Sequence, residues 1–326
     1  MNNSLRVVAT GVSIVDQFVS PYGEKGNAVF RDADSLDIHY GHAGIFLGNN
    51  RWTGGQDKFI NAPGIQFHVN LPIEIVDKNV QVDDFTGFLT DINGPHTYWG
   101  VRDNNPNLNW RQRNQVIAAA IAQLGSSYRF HLGIKVRSDA SIMDDNPYLY
   151  YNLNASGSNL TNSGTFRCDG LVEFSYEHAD VDLFTDAEKG EDLWFHRNEL
   201  RDHGMSPLRM MMRMGTARGE PPIASNYFPA PDAVLTNDVD NVHCDVTDQN
   251  WGSGVEKVEF YLPRAGSSQI VVTDDHPANV EDSYHAARDT VALPNERYTL
   301  GARVWDQSGN WRLYNWQIQI NQHGNT

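Results

Sequence analysis

The chain has 326 residues, of which 40% are hydrophobic and 11% aromatic, and its formal net charge is −16. This length predicts two domains, and the apolar fraction is typical of globular proteins and excludes a disordered chain. Because so much negative charge repels phosphate backbones and anionic lipids, we expect neither a nucleic acid nor a membrane as partner.

The two cysteines, Cys168 and Cys244, are too few to build a disulfide framework. They fall in segments that we assign to different domains, so we do not expect them to pair, and Cys244 is predicted to be a buried strand residue. No apolar run reaches the roughly 18–20 residues of a membrane-spanning helix. The N-terminus also lacks the continuous apolar region of a secretory signal.

Short strands separated by turns dominate the first part of the chain. β-Branched residues predict extended backbone over residues 5–20, and shorter strands are predicted at 28–31, 41–48 and 58–62. Several short strands joined by tight turns predict a small antiparallel sheet.

Helical patterns follow the strands. Residues 110–124 carry the clearest one, because apolar residues recur at helical spacing and Gly125 stands where a C-terminal cap belongs. The polar residues 143–164 predict an irregular insertion. Another helix is predicted from Cys168 onward, and the methionine-rich residues 205–214 predict a core-packing helix or one wall of a groove.

The sequence changes character at residues 216–231, where Gly-Glu-Pro-Pro and Phe-Pro-Ala-Pro predict an extended linker. Beyond it, strand patterns alternate with turns, and no helical pattern is present. We therefore predict an α+β domain at 1–215 and an all-β sandwich at 232–326.

Two segments carry the residue types of a nucleophilic active centre. His42 lies in a predicted strand between Gly41 and Gly44, and glycines leave room for a substrate or a neighbouring backbone. Cys168 begins a predicted helix, whose unpaired N–H groups and positive dipole end stabilise a thiolate. Either residue alone is more commonly structural, but a thiolate beside an oriented imidazole is an activated nucleophile. Together they predict a Cys–His hydrolase.

Four short motifs resemble those of the NlpC-type cell-wall peptidases. Cys168-Asp-Gly-Leu-Val resembles their helix-opening Cys-Ser-Gly-Leu/Phe-Val, and Gly41-His-Ala-Gly-Ile-Phe-Leu-Gly resembles their His-Val-Gly-Ile-Tyr-Leu-Gly strand. Gly26-Asn-Ala-Val-Phe-Arg is similar to their Gly-Asp-Ile-Val strand, and Leu124-Gly-Ser-Ser-Tyr to their Leu-Gly-x-Pro-Tyr element. The His precedes the Cys here, which resembles the circularly permuted branch that includes lecithin–retinol acyltransferase-like enzymes. The resemblance covers residues 20–185.

The resemblance implies a papain-like domain in which Cys168 is the nucleophile and His42 the general base. It implies that Asn61, on the strand after the His strand, orients the imidazole through its carbonyl oxygen, with His68 as the alternative. Tyr128 either donates its hydroxyl to the oxyanion or only packs.

The substrate that this family implies is the stem peptide of peptidoglycan or a related isopeptide. Such an enzyme is expected to be secreted or to act in the cell envelope, as an effector injected into rival cells or a phage-type lysin. The absence of a signal segment leaves three alternatives: a signal that has been removed, export by a non-Sec route, or a protein that stays inside the cell. No cofactor is expected. No Cys/His cluster has zinc spacing, so no metal is expected, and the acidic residues at 237–240 and 273–275 lack the ligand spacing of a calcium loop.

Two alternatives use the same residues differently. The first is acyl transfer or lipid-ester hydrolysis, with residues 205–214 lining an apolar groove. The second is a papain-like binding module without catalysis, because Asp169 puts a negative charge beside the thiolate unless it points away or caps the helix.

The C-terminal segment resembles bacterial immunoglobulin-like modules. The likeness rests on Ser253-Gly-Val-Glu-Lys-Val-Glu-Phe-Tyr and on Tyr298-Thr-Leu-Gly-Ala-Arg-Val-Trp-Asp-Gln-Ser-Gly-Asn. It implies an immunoglobulin-like sandwich and a glycan or protein contact as its partner class.

Overall fold

The structure, a computed structural model, describes the larger part of the chain. The described residues are 7–9, 11–35, 38–39, 41–66, 76–91, 94–128, 149–150, 165–166, 168–181, 183, 207–217, 219–236, 241–248, 252–263, 269–275, 281–287 and 293–322. They form an α+β protein in which strands predominate, which confirms the predicted class.

Strands predominate along the chain, and the described helices all lie between β10 and β17. The strands are β1 (Val7–Ala9), β2 (Val12–Phe18), β3 (Ala28–Arg31), β4 (Asp34–Ser35), β5 (Ile38–His39), β6 (His42–Gly48), β7 (Lys58–Asn61), β8 (Gly64–Gln66), β9 (Val76–Lys78), β10 (Gln81–Asp84), β11 (Thr90–Asp91), β12 (Gly94–Pro95), β13 (Tyr98–Asp103), β14 (Ser127–Tyr128), β15 (Leu149–Tyr150), β16 (Thr165–Phe166), β17 (Gly215–Thr216), β18 (Ile223–Phe228), β19 (Val234–Leu235), β20 (Asn241–Thr247), β21 (Val255–Pro263), β22 (Gln269–Asp274), β23 (Glu281–Ala287), β24 (Arg297–Asp306) and β25 (Trp311–Ile320). The helices are α1 (Phe85–Leu89), α2 (Trp110–Ile121), α3 (Cys168–Glu177) and α4 (Pro207–Arg213), with a 3₁₀ turn at Arg51–Thr53. None of the helices in the described ranges is long and apolar enough to cross a membrane.

The chain divides into two compact units, Tyr22–Arg218 and a unit that joins Met1–Pro21 to Gly219–Thr326. The sequence analysis placed the boundaries at 1–215, 216–231 and 232–326. The structure differs from this prediction at two places. Met1–Pro21 groups with the C-terminal unit, and the predicted linker contains β18, which is a strand of the same unit.

A six-stranded antiparallel sheet is the centre of the unit Tyr22–Arg218, in the order β10-β7-β6-β3-β13-β17. Successive residues of a strand point to opposite faces, so each strand serves two cores. Ala28, Phe30, Ala43 and Ile45 pack on one face with residues of α2, α3 and α4. The other face carries an aromatic cluster of Tyr22, Val29, Phe46, Phe59 and Phe88.

Capping residues set where α2 begins. The Asn109 side chain accepts hydrogen bonds from the backbone N–H groups of Arg111 and Gln112, and the Gln112 side chain accepts one from Asn109 N. This reciprocal pairing satisfies N–H groups that have no partner inside a helix. The helix ends at Ile121, earlier than the predicted residue 124, and Gly125 follows with a left-handed φ of 82°.

A buried ion pair ties α2 to the sheet. Arg113 and Asp103 are both completely buried, and Arg113 Nη2 donates to Asp103 Oδ2. Arg113 Nη1 also donates to Asn27 Oδ1 and to the Lys25 carbonyl oxygen. One guanidinium therefore joins the helix, the end of β13 and the turn before β3.

The methionine-rich segment forms α4, as predicted. Met210 and Met214 are buried in the core beside α2 and α3, whereas Met212 is exposed. The predicted insertion at 143–164 lies outside the described residues except for β15.

Two sheets enclose a single core in the C-terminal unit. One has the order β1-β2-β25-β24-β21-β22, with β19 beside β25, and the other has the order β18-β20-β23. Cys244 lies in β20 and is fully buried in this core, as predicted. The predicted strands at 242–246, 255–262, 270–272, 298–305 and 311–320 correspond to β20, β21, β22, β24 and β25.

The N-terminal strand β2 belongs to this C-terminal sheet, because it pairs antiparallel with β25. Val12 is buried in the core, whereas Val15 is 44% exposed. We expect Val12→Asp to destabilise the sheet by about 3 kcal/mol or more, because it puts an unpaired charge among apolar side chains. The amides of residues 311–320 should then exchange faster with deuterium, as measured by mass spectrometry.

The control for that substitution is Val15→Asp, which adds the same charge on the exposed side of the strand. The helical circular-dichroism signal follows the other unit, because the described helices all lie within Tyr22–Arg218. A Val12→Asp protein whose helical signal melts early, with unchanged exchange at 311–320, would contradict this grouping.

The ion pair at Arg113 gives a second prediction. Arg113→Met leaves the Asp103 carboxylate buried without its partner, so the free energy of unfolding should fall by about 3–5 kcal/mol. Guanidinium chloride titration of the helical signal measures this change. Arg111→Met, at an exposed position on the same helix, should change it by no more than about 0.5 kcal/mol, and equal effects of the two substitutions would refute a special role for the pair.

Candidate active site

Strand register brings four polar side chains to one face of the central sheet. Arg31, the last residue of β3, pairs with His42, the first residue of β6. Asn61, the last residue of β7, pairs with Gly44 on one side and with Gln81 of β10 on the other. Paired residues of an antiparallel sheet point to the same face, so these side chains lie side by side.

A chain of hydrogen bonds fixes the orientation of the His42 ring. His42 Nε2 lies 3.0 Å from Asn61 Oδ1, and Asn61 Nδ2 donates to Asp83 Oδ2 at 2.8 Å. Gln81 Nε2 donates to both oxygens of Asp83, at 3.0 and 2.8 Å. Because the Asn61 amide nitrogen is directed to Asp83, its oxygen faces the ring and can only accept. Neutral His42 therefore carries its proton on Nε2 and presents the lone pair of Nδ1.

Two glycines beside His42 are required by close packing. A Cβ atom on Gly44 would lie 2.9 Å from the Ile60 carbonyl oxygen, so the approach of β7 to β6 needs a glycine there. Gly41 has a left-handed φ of 71°, and a Cβ atom at this position would overlap the Trp99 ring. The space that the sequence analysis assigned to a substrate or a neighbouring backbone is therefore occupied by protein at these two positions.

The surroundings of His42 favour the neutral imidazole. The residue is 4% exposed, and its ring lies 5.5 Å from the Phe88 ring. Burial lowers the pKa of His42 well below its usual 6.5, and the nearby charges of Arg31 and His96 lower it further, while the Asn61 hydrogen bond acts in the opposite direction. A neutral imidazole is the form that can accept a proton.

Cys168 is the first residue of α3 and is buried at 6% exposure. It packs in the cluster that contains Ala43, on the face of the sheet that carries the helices, whereas His42 packs against Phe88 on the other face. The helix α3 contacts β6 directly. Arg31, where β3 ends, lies within electrostatic range of both Cys168 and His42.

Several polar residues surround Arg31. Its Nη1 donates to the Asp32 carbonyl oxygen at 2.8 Å, and its Nη2 lies 3.8 Å from Asp91 Oδ2. The guanidinium carbon lies 6.0 Å from the centre of the Phe88 ring. His96 lies between two carboxylates, with Nε2 2.7 Å from Asp91 Oδ2 and Nδ1 3.2 Å from Asp32 Oδ1.

The sequence analysis missed four residues around His42, namely Gln81, Asp83, Arg31 and His96. Gln81 and Asp83 are polar residues two positions apart in a strand-like segment, but this pattern does not show which strand pairs with theirs. Arg31 and His96 lie far apart along the chain, so only the folded sheet brings them together.

The remaining predicted residues are less fully described. Tyr128 lies in β14, which pairs in parallel with β16, and its partner Phe166 is two residues before Cys168. The Tyr128 side chain lies outside the described part of the structure, and so does the whole of His68. Asp169, whose negative charge beside Cys168 was the argument for a non-catalytic module, is buried in the first turn of α3. A carboxylate there interacts favourably with the helix dipole.

The described side chains include no group of three or more His, Cys, Asp or Glu residues that could hold a metal ion. Of the acidic segments considered for calcium, residues 237–240 lie outside the described residues. Asp274, in the other segment, accepts a hydrogen bond from His285 N at 2.8 Å.

The geometry predicts how His42 titrates. We expect its ring to stay neutral at pH 6.5 with the proton on Nε2, and its titration midpoint to lie well below 6.5, as ¹⁵N-resolved NMR spectra can measure. In this window the unfolded chain binds a proton that the folded chain does not, so stability is complete above about pH 6.5 and falls as the pH drops toward the folded midpoint. The variant His42→Gln assigns the signal and should lose less stability over the same range. A midpoint at or above 6.5, or a proton on Nδ1, would contradict the arrangement.

Comparisons with known proteins assign no function to this site. No protein-family model matches the sequence, and no curated protein matches it. Among solved structures, an X-ray structure of the endo-beta-1,4-mannanase from Thermotoga petrophila is similar over 47% of this chain and 24% of that chain, with 11% identity and a TM-score of 0.24. A TM-score of this size shows no shared fold and supports no conclusion about activity.

Proposed function

We propose that the chain is a cysteine hydrolase that cleaves an amide bond in the stem peptides of peptidoglycan. The observation that carries the proposal is the hydrogen bond between His42 Nε2 and Asn61 Oδ1, because it leaves Nδ1 as a lone pair on a neutral ring. An imidazole oriented in this way is the general base that a cysteine nucleophile requires.

The arrangement around this bond supports a papain-like domain of the permuted NlpC type. A helix that begins at Cys168 packs against an antiparallel sheet, and neighbouring strands of that sheet carry His42 and Asn61. The His precedes the Cys along the chain, as in the permuted branch.

The proposed reaction has two halves. Cys168 packs on the helix side of the sheet and His42 on the other side, so the proton would pass around the end of β3 and β6, where Arg31 acts on both residues. There Cys168 Sγ would attack the amide carbonyl as its proton moves to His42 Nδ1, and the leaving amine would take that proton when the C–N bond breaks. Water then attacks the thioester, with His42 again accepting a proton and returning it to the sulfur. The backbone N–H groups at the start of α3 would stabilise the negative oxygen of both tetrahedral intermediates.

The C-terminal unit is proposed to be an immunoglobulin-like module. Its two sheets with one common core support this assignment. We propose that it provides a glycan or protein contact and that the protein acts outside the cytoplasm or in the cell envelope, where its substrate lies.

Digestion of purified peptidoglycan tests the proposed function. The wild-type protein should release fragments whose masses identify the cleaved bond, and Cys168→Ala should lower the rate by roughly 10³-fold or more, because no other group replaces the sulfur. Mass spectrometry of the soluble fragments measures both.

Cys244→Ala is the matched control. Cys244 is also a buried cysteine, but burial among apolar side chains raises its thiol pKa, so this residue is expected to be inert. Cleavage by Cys168→Ala at the wild-type rate would refute the nucleophile. If neither protein cleaved peptidoglycan, the substrate would be wrong, and the same pair would then be compared on acyl-ester substrates.

A further inference from the structure

We propose that Arg31 is a positioning residue, whose guanidinium stabilises the thiolate of Cys168 beside the His42 ring. The inference rests on the proposed function, in which the proton moves from Cys168 Sγ to His42 Nδ1 and then to the leaving amine. Arg31 would stabilise the thiolate that the first transfer forms, and its repulsion of the imidazolium would speed the passage of the proton from His42 to the leaving amine.

Strand pairing supplies the geometry. Arg31 and His42 are directly paired across β3 and β6, so their side chains stand beside each other, and α3, which begins at Cys168, contacts β6. Arg31 is only 2% exposed, and water therefore screens its charge little. Its charge acts on His42, and the charge of the Cys168 thiolate acts on it in turn.

The carboxylates around Arg31 compensate its charge incompletely. Asp91, the nearest one, lies 3.8 Å from Nη2, which is beyond hydrogen-bond distance. The Nη1 donor is directed to a neutral acceptor, the carbonyl oxygen of Asp32. Within the described structure, the buried Arg31 Nε–H has no hydrogen-bond acceptor. The guanidinium therefore retains positive potential for a further anion, and a thiolate at Cys168 is such an anion.

Other charged groups also act on this centre, and the proposal includes their signs. Burial lowers the pKa of Arg31, while Asp91, Cys168, Asp32 and Asp83 raise it, so the guanidinium stays charged at neutral pH. Among the described residues, the titratable groups whose charges act on Arg31 or His42 are Asp32, Asp83, Asp91, His96 and Cys168. Asp169 follows Cys168 in the first turn of α3.

The pH dependence of Cys168 alkylation by iodoacetamide tests the inference, because the thiolate is the form that reacts. Arg31→Met should move the midpoint up by about one pH unit, so that alkylation at pH 7 slows about tenfold. The His42 titration midpoint, measured by NMR, should also rise. Arg31→Lys should restore most of both changes, because it returns the positive charge.

Asp91→Asn provides a test in the opposite direction, and it keeps the inference testable if Arg31→Met does not fold. Removing this carboxylate leaves more of the Arg31 charge uncompensated, so the alkylation midpoint should fall. Arg102→Met, a partly buried arginine of β13 in the same sheet, should leave the midpoint unchanged.

Each outcome decides between the positioning role and a structural one. An unchanged midpoint in folded Arg31→Met, no rescue by lysine, or a rise in Asp91→Asn would overturn the inference. Alkylation of Cys168 and titration of His42 can be measured without any cleavage. If Arg31→Met shifts both midpoints but the wild-type protein does not cleave peptidoglycan, the role of Arg31 is supported and the proposed substrate is rejected. Cleavage that requires Cys168, with no effect of Arg31 on alkylation, would reject the role of Arg31 alone.

Discussion

In the central sheet, β6 lies between β3 and β7, and its backbone hydrogen bonds fix which residues stand beside His42. On one side the register places Arg31 next to the ring, and on the other it places Asn61 within hydrogen-bond distance. A shift of one residue in either pairing would turn the partner side chain to the opposite face. Gly44 is part of this constraint, because its missing side chain lets β7 approach at the level of Asn61.

The same register places a polar chain, buried at His42 and Asn61 and half-buried at Asp83 and Gln81, beside an aromatic surface. The side chains of Gln81, Asp83, Asn61 and His42 satisfy one another by hydrogen bonds, beside the rings of the aromatic cluster. Buried polar groups are costly unless they are paired, so this chain has one favoured arrangement. The orientation of the His42 ring and its low pKa therefore have the same cause. Burial requires that the ring nitrogen be hydrogen-bonded to Asn61, and burial also lowers the pKa of His42.

Within each unit, contacts between distant parts of the chain stabilise the sheet. In the unit Tyr22–Arg218, the buried Arg113 connects α2 with Asp103 and with the turn before β3. In the other unit, β1 and β2 complete a sheet whose remaining strands come from the C-terminal part of the chain. Both arrangements depend on contacts between residues that are far apart in sequence, which local patterns do not encode.

The sequence by itself determined the α+β class, the positions of the main strands of both large sheets except β10, β13 and β17, the start of α2 and the burial of Cys244, because these follow from local periodicity, capping residues and turn residues. It also identified His42, Cys168 and Asn61 as candidates, since motif spacing is a local property. Only the tertiary structure decided which strand pairs with which, and so it alone moved β2 to the C-terminal sheet and brought Asp83 and Arg31 to the site. The physical reason is that alternating polar and apolar residues specify a strand and its two faces, whereas the partner strand is chosen by the packing of the whole sheet.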